Sequence, residues 1–320
     1  MSGSPARPSS APRSPLGLWW AGRQPAAGAA VMATGILSVG LHLTDYETLS
    51  RVALALAGAA WVALAAAGTP GALTAVAATT VLGTRVCMLG RHTLAEALLA
   101  LAAVLWPVLL ATVVRRWRRR MPGAVFLACV ATQGLALLGA VVAKAEEAAW
   151  LAHSALVLFW LGLVLYCVAL VLFDPRQVAE GAGDQWVAGG ALAISALAGA
   201  NLLTADAGDV GGLYLWNDDD TDVLRTVTVA LLVLDLAWYA VLLVAEVRRP
   251  RPRYDVCRWA TVFPMGMSAA ATLSVAAAVD VPWLRGPGEV LLWVAVAAWL
   301  VVAAAAVTVA RAALRSRAPR

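Results

Sequence analysis

Along this chain, stretches of about 20 almost uninterrupted apolar residues alternate with short polar breaks, the length at which an α-helix crosses a hydrocarbon core of roughly 30 Å. Ten such stretches can be marked, at residues 25–43, 49–67, 71–90, 94–114, 123–145, 149–173, 186–204, 223–245, 256–280 and 287–310. Short connections make these spans five antiparallel hairpins, and the pattern predicts an all-α polytopic membrane protein.

Odd and even spans differ in kind. Glycines concentrate in the odd ones (Gly28, Gly35, Gly40, Gly83, Gly90, Gly134, Gly139, Gly189, Gly190, Gly199 and Gly266), whereas the even ones hold little beyond Gly58 and Gly162 and are mainly Leu, Val, Ala and Trp. Hydroxyl and amide side chains divide the same way: Thr34 and Ser38, Thr80 and Thr84, Gln133, Ser195 and Asn201, Ser268 and Thr272. Several stand four residues apart and so share a helix face. Small residues let backbones approach in lipid, and interhelical hydroxyl bonds contribute of order 0.6 kcal/mol each, so for any single residue a gluing role suffices. The repetition in all five odd spans points further, to two concentric layers. An inner ring of five odd helices would surround a central pore, shielded from lipid by the five even helices. Thr34, Ser38, Thr80, Thr84, Gln133, Ser195, Ser268 and Thr272 are then the candidate pore-lining residues.

Composition agrees with a membrane protein, at 62% hydrophobic residues and a mean hydropathy of +0.79. Lys144 is the single lysine among 24 basic side chains, and the abundance of Ala, Arg and Gly suggests a GC-rich, bacterial genome. Residues 1–24, rich in Ser, Pro and Arg, are expected to form a disordered cytoplasmic tail; residues 25–310 the transmembrane domain; residues 311–320 a basic cytoplasmic C-terminal tail. With both termini inside a bacterial plasma (inner) membrane, 18 basic residues fall on the cytoplasmic side against 6 outside, the asymmetry that sets topology. The run RRWRRR (115–120) reads as an anchor at anionic headgroups. Basic residues beside membrane segments also account for the high pI without any nucleic-acid surface.

The ninth span carries the most informative stretch, RWATVFPMGMSAAATLS (258–274). Pro264 has no amide hydrogen, so the carbonyl of Ala260 loses its helical partner and the helix is expected to kink, with Gly266 adding a soft point. A broken ladder at membrane depth needs cover from protein or a water-filled cavity, which turns this helix inward with Phe263 at the break. The reading from residues alone leaves Phe263 open between core packing beside a kink and an apolar plug that closes a pore by dewetting.

Charged groups within the spans are few. Arg85 and Lys144 are candidate basic residues at the outer mouth, where they could raise local anion concentration; the alternative is snorkelling to headgroups, with Lys144 paired to Glu146 or Glu147. Asp235 lies deep in the eighth span, where an acid costs about 2.5–3.5 kcal/mol on insertion scales, so structural pairing or protonation is expected, with proton coupling as the alternative. His42 and His153, near span ends, read as hydrogen-bonding groups. Cys87, Cys129, Cys167 and Cys257 are scattered and imply neither a metal site nor a disulfide framework. The aspartates of NDDDTD (217–222) read as a solvated external loop. No nucleophile–base pair or phosphate-binding loop appears, so the chain reads as no enzyme and implies no cofactor.

Three separated segments, VMATGILSVGL (31–41), DQWVAGGALAISALAG (184–199) and RWATVFPMGM (258–267), resemble those of the tellurite-resistance/dicarboxylate transporter family, which includes the plant slow anion channels, the yeast malate permease and the fungal sulfite pump. The resemblance implies five hairpins around a central pore, assembly as a homotrimer with one pore per subunit, and an aromatic gate on the ninth helix. By motif position Phe263 takes that role. The short N-terminal tail departs from the long regulatory region of the plant channels, so kinase gating is not expected. Phe263 also falls in the cytoplasmic half of its span, shallow for a midplane gate, which favours a helix starting earlier, near Arg253.

The expected function is a channel or transporter passing small inorganic or organic anions. The absence of a ring of fixed cations leans toward a channel, with helix-end dipoles holding monovalent anions weakly. The alternative is a proton-coupled C4-dicarboxylate or oxyanion carrier.

Overall fold

The computed structural model describes residues 24–66, 73–180, 183–206, 218–249 and 254–315. Ten long helices account for nearly all of them: α1 (Gln24–Leu43), α2 (Glu47–Ala66), α3 (Leu73–Met88), α4 (His92–Val114), α5 (Leu127–Ala145), α6 (Ala149–Leu172), α7 (Trp186–Asp206), α8 (Asp218–Arg248), α9 (Trp259–Ala278) and α10 (Arg285–Arg315). Eight helices are long and apolar enough to cross a membrane, and α1 and α3 supply the shorter apolar segments Gly28–Leu43 and Leu73–Met88. Residues 1–23 lie outside the described part, and with them most of the N-terminal tail.

The two layers are explicit in the packing. Each odd helix packs on the next, α1 on α3, α3 on α5, α5 on α7 and α7 on α9, and α9 returns to α1, which closes a ring of five. Among the described residues no substantial contact joins odd helices across the ring. Each even helix sits over the seam between its hairpin partner and the next odd helix: α2 over α1 and α3, and so round to α10 over α9 and α1. Consequently every residue of Val31–Leu41, Val76–Arg85, Ala128–Ala140, Trp186–Ala200 and Thr261–Leu273 is buried, while the even helices expose Val, Leu and Trp side chains.

Glycine lets the ring close tightly. A Cβ at Gly266 of α9 would stand 3.0 Å from Ile36 of α1, and one at Gly35 of α1 would stand 3.0 Å from Val81 of α3. At Gly134 of α5 a Cβ would overlap the Thr80 hydroxyl of α3.

The hairpin turns repeat one device. Asp45, Gly90, Glu147 and Asp280, just past the ends of α1, α3, α5 and α9, all have positive φ. The amide after each reaches back five residues, Tyr46 to Leu41, Arg91 to Val86, Ala148 to Ala143 and Val281 to Ala276, at 2.9–3.2 Å. This left-handed cap satisfies carbonyls that a helix end leaves open, and it turns the chain sharply enough for the next helix to run back.

Two boundaries correct the sequence reading. The described acids of the aspartate run, from Asp218 on, are not loop but the opening turns of α8, where negative side chains meet the positive end of the helix dipole. Likewise α10 continues through Arg311 to Arg315 because its Ala, Leu and Arg are good helix formers, so the C-terminal basic segment begins as helix. At 31 residues, about 46 Å, both outrun the hydrocarbon core.

Candidate functional site

Pro264 lies inside α9, which forms part of the ring wall and runs as one helix from Trp259 to Ala278, so the expected interruption does not divide it. Asp255 is extended and its carboxylate accepts the Cys257 amide at 3.2 Å, which starts a 3₁₀ turn, Val256–Arg258, leading into α9. The expected earlier start near Arg253 therefore does not occur: the chain is extended at Asp255, and residues 250–253 lie outside the described part. Phe263 stays early in its helix, toward the end that carries the arginine run.

Phe263 is 1% exposed and belongs to the main apolar core. Its ring and Pro264 lie against Gly190 of α7, whose ideal Cβ would come within 3.1 Å of Phe263 Cε1 and 3.0 Å of Pro264 Cγ. Gly266, on the next turn, meets Ile36 and Leu37 of α1. This segment of α9 is thus held between α7 and α1, and a larger residue at either glycine would displace it.

At the face opposite the arginine run, a cavity of about 410 Å³ opens between three consecutive ring helices. Leu43 of α1, Asn201 and Thr204 of α7, Leu273 and Ser274 of α9, and Arg285 border it. Ten residues of helix, about 15 Å, separate Leu273 from Phe263. Every residue of α9 in that interval is buried.

Of the polar candidates on the odd helices, Thr34, Ser38, Gln133 and Ser268 bond outer-layer groups, whereas Thr80, Thr84, Ser195 and Thr272 bond along their own helix. Thr34 accepts the indole N–H of Trp299 on α10 at 2.9 Å while donating to Ala30 O. Ser38 and Ser50 of α2 each donate to the other's carbonyl, at 2.7 and 2.6 Å. Gln133 donates to Phe159 O of α6 at 3.0 Å, and Ser268 donates to Asp235 of α8 at 3.1 Å. Thr80 donates within α3 and abuts Gly134, whereas Thr84 and Thr272 donate to the carbonyls four residues back. Ser195 donates to Ala191 O with Cys129 Sγ at 4.0 Å. The cause is hydrogen-bond supply: an outer-layer indole or carbonyl facing the ring has no water in lipid and must find its partner on the inner helix.

That requirement produces a motif the sequence reading missed. Trp61 of α2 donates to Thr79 of α3 and Trp106 of α4 to Thr132 of α5, each at 2.9 Å, repeating the Trp299–Thr34 bond. In each case the threonine's own proton goes to the carbonyl four residues earlier, leaving its lone pairs for the indole. The signal is an even-span Trp opposite a Thr of the next odd helix round the ring, visible only once the ring order is known.

Arg85 is not a free cation at a mouth. It is fully buried, donating from Nε to Ser50 Oγ at 2.8 Å and from Nη2 to both Glu47 carboxylate oxygens at 2.8–2.9 Å, with Nη1 unpartnered. Glu47 also receives Arg51 and His42, so one acid at the head of α2 ties α1, α2 and α3 together. Lys144 is exposed, and Glu146, its expected partner, bonds His92 instead at 2.8 Å. His153 meets Ala149 O on the exposed side of α6.

A closed ring of five buried helices inside five lipid-facing ones defines a polytopic membrane protein built around its own axis. The chain belongs to the voltage-dependent anion channel family, whose profile matches residues 23–307. It is also similar to two uncharacterised membrane proteins of Mycobacterium tuberculosis, MT1776 of strain CDC 1551 and Rv1735c of strain H37Rv, each 32% identical over 142 residues, 41% of this chain. The match spans 66% of each relative's length.

Proposed function

We propose that small anions pass along the axis of the α1–α3–α5–α7–α9 ring and that Phe263 is the closure. The observation that carries this reading is the buried contact of the phenyl ring with Gly190 inside a ring across which no described helices make substantial contact. The cavity bordered by Asn201 and Arg285 serves as the outer vestibule. Arg85 is committed to Glu47, and α7 and α9 carry no basic residue between Trp186 and Asp206 or between Trp259 and Ala278. A passage so poor in fixed cations holds anions weakly, which favours fast conduction of monovalent ions over tight dicarboxylate binding.

The same reading places both termini in the cytoplasm of a bacterial inner membrane, with RRWRRR at the inner leaflet, and takes three copies per assembly, each with its own pore. Thr84, Ser195 and Thr272 remain the polar candidates beside the axis. The test is anion flux in proteoliposomes: Phe263→Ala raises flux at least about tenfold, equal to removing about 1.4 kcal/mol of barrier. Unchanged flux through a folded, inserted variant overturns the gate, and saturable, proton-driven accumulation of a dicarboxylate overturns the channel.

A further inference from the structure

Asp235 is the one acid in the middle of a described span, and it is fully buried. Ser268 Oγ donates to its Oδ1 at 3.1 Å, while Oδ2 has no partner. Among the described residues no basic group is bonded to it. Its helix α8 packs on α7, on α9 and on the turn Gln177–Glu180. The only charged residue of α7 is Asp206 at its far end, and α9 has none. Arg258, just before α9, is bonded to Glu246, and Arg225 of α8 donates to Val279 O. Glu180 closes the short turn; the remaining titratable groups within electrostatic reach are Tyr239 of α8 and Tyr166 of α6.

A carboxylate with one hydrogen bond and no countercharge is poorly matched to such a site, and a structural bridge to Ser268 would be served as well by a neutral amide. The position matters because it touches both helices that hold Phe263. Ser268 is on α9, five residues beyond the phenyl group. On α7 a Cβ at Gly189 would lie 3.8 Å from Asp235 Oδ1, and the next residue, Gly190, abuts Phe263.

We infer that Asp235 is a proton-binding site behind the gate: the closed ring holds it as the neutral acid, and opening admits water that takes the proton and stabilises the carboxylate. The step is a simple dissociation, in which the Oδ2–H bond breaks, the electron pair stays on the carboxylate and the proton passes to lumen water. Because only the closed form favours the bound proton, acid closes the pathway and anion flux rises with pH. The inference rests on the reading of Phe263 as the gate.

Two measurements on the full-length protein separate the failures. Infrared difference spectra from about pH 5 to about pH 9, a range bracketing buried carboxyls, should contain a protonated-carboxyl C=O band that sharpens or shifts in D₂O and is lost in Asp235→Asn. Absence of such a band in the wild type overturns the proton site whatever the gate does. In proteoliposomes, wild-type flux should rise with pH, Asp235→Asn should be low and flat, and Asp235→Glu should keep the slope. If Asp235→Asn does not fold, Ser268→Ala serves, with a displaced profile expected and an undisplaced one counting against the site. A wild-type slope retained in Asp235→Asn overturns the inference, whereas a band that titrates beside an inert Phe263→Ala overturns only the gate.

Discussion

Gly190 on α7 and Phe263 on α9 stand so close that a Cβ built on the glycine would lie 3.1 Å from the edge of the phenyl ring. On the proposed reading, closure is a two-helix property: α9 supplies the aromatic group and α7 the space it occupies. Replacing Gly190 by Ala should push Phe263 and Pro264 by a few tenths of an ångström and raise anion flux, by less than Phe263→Ala does. The added methyl also favours helix by about 1 kcal/mol, so thermal stability in detergent should not collapse. A leak smaller than wild type, measured as flux in proteoliposomes, would count against the arrangement.

The Arg85–Glu47 pair joins residues 38 positions apart and one of its ends is fully buried. Removing the acid leaves the buried guanidinium without a countercharge, which destabilises the fold. Glu47→Gln should therefore lower the unfolding midpoint sharply, because Arg85 stays buried without its counterion. The double variant Glu47→Gln with Arg85→Gln should regain part of the loss in a double-mutant cycle. Additive effects would show that the two do not interact.

The bond from Trp299 to Thr34 predicts a smaller effect. Thr34→Val keeps the shape but leaves the indole N–H without an acceptor, at a cost of about 1 kcal/mol in a membrane interior. The same change at Thr79 and at Thr132 should give similar losses, since all three share one geometry. Stability measured for the three variants should agree closely; a wide spread would mean that the repeated bond is incidental.

Gly134 and Thr80 offer a rescue test. Gly134→Ala places a methyl on the Thr80 hydroxyl and should destabilise the α3–α5 seam by about 1–3 kcal/mol, the usual range for overpacking. Thr80→Ala removes the obstructing atom, so the double variant should recover most of the thermal stability lost. Failure to recover would place the strain elsewhere.

The span pattern made ten helices, five hairpins and two layers legible because hydrocarbon tolerates little else: a backbone in lipid must pair within its own helix. The glycine excess of the odd spans likewise marked the inner layer, for helices packed on all sides need small contact residues. Helical spacing told which polar residues share a face, though not what that face meets. Thr34 and Ser38 share a face by spacing, yet they, Gln133 and Ser268 bond outer-layer groups that no local spacing identifies. Arg85 was equally opaque, its partner lying on another hairpin. The aspartates after residue 217 looked like loop since acidity alone does not distinguish a solvated turn from the start of a helix.

By itself, then, the sequence determined the class of this protein and its layering, both of which follow from local length and polarity. Only the tertiary structure decided what each side chain meets: that Phe263 rests on Gly190, that Arg85 is neutralised by Glu47, and that Asp235 has one hydrogen bond and no cation. Those facts depend on which helices close the ring together, and ring closure is a long-range geometry that no window of twenty residues contains.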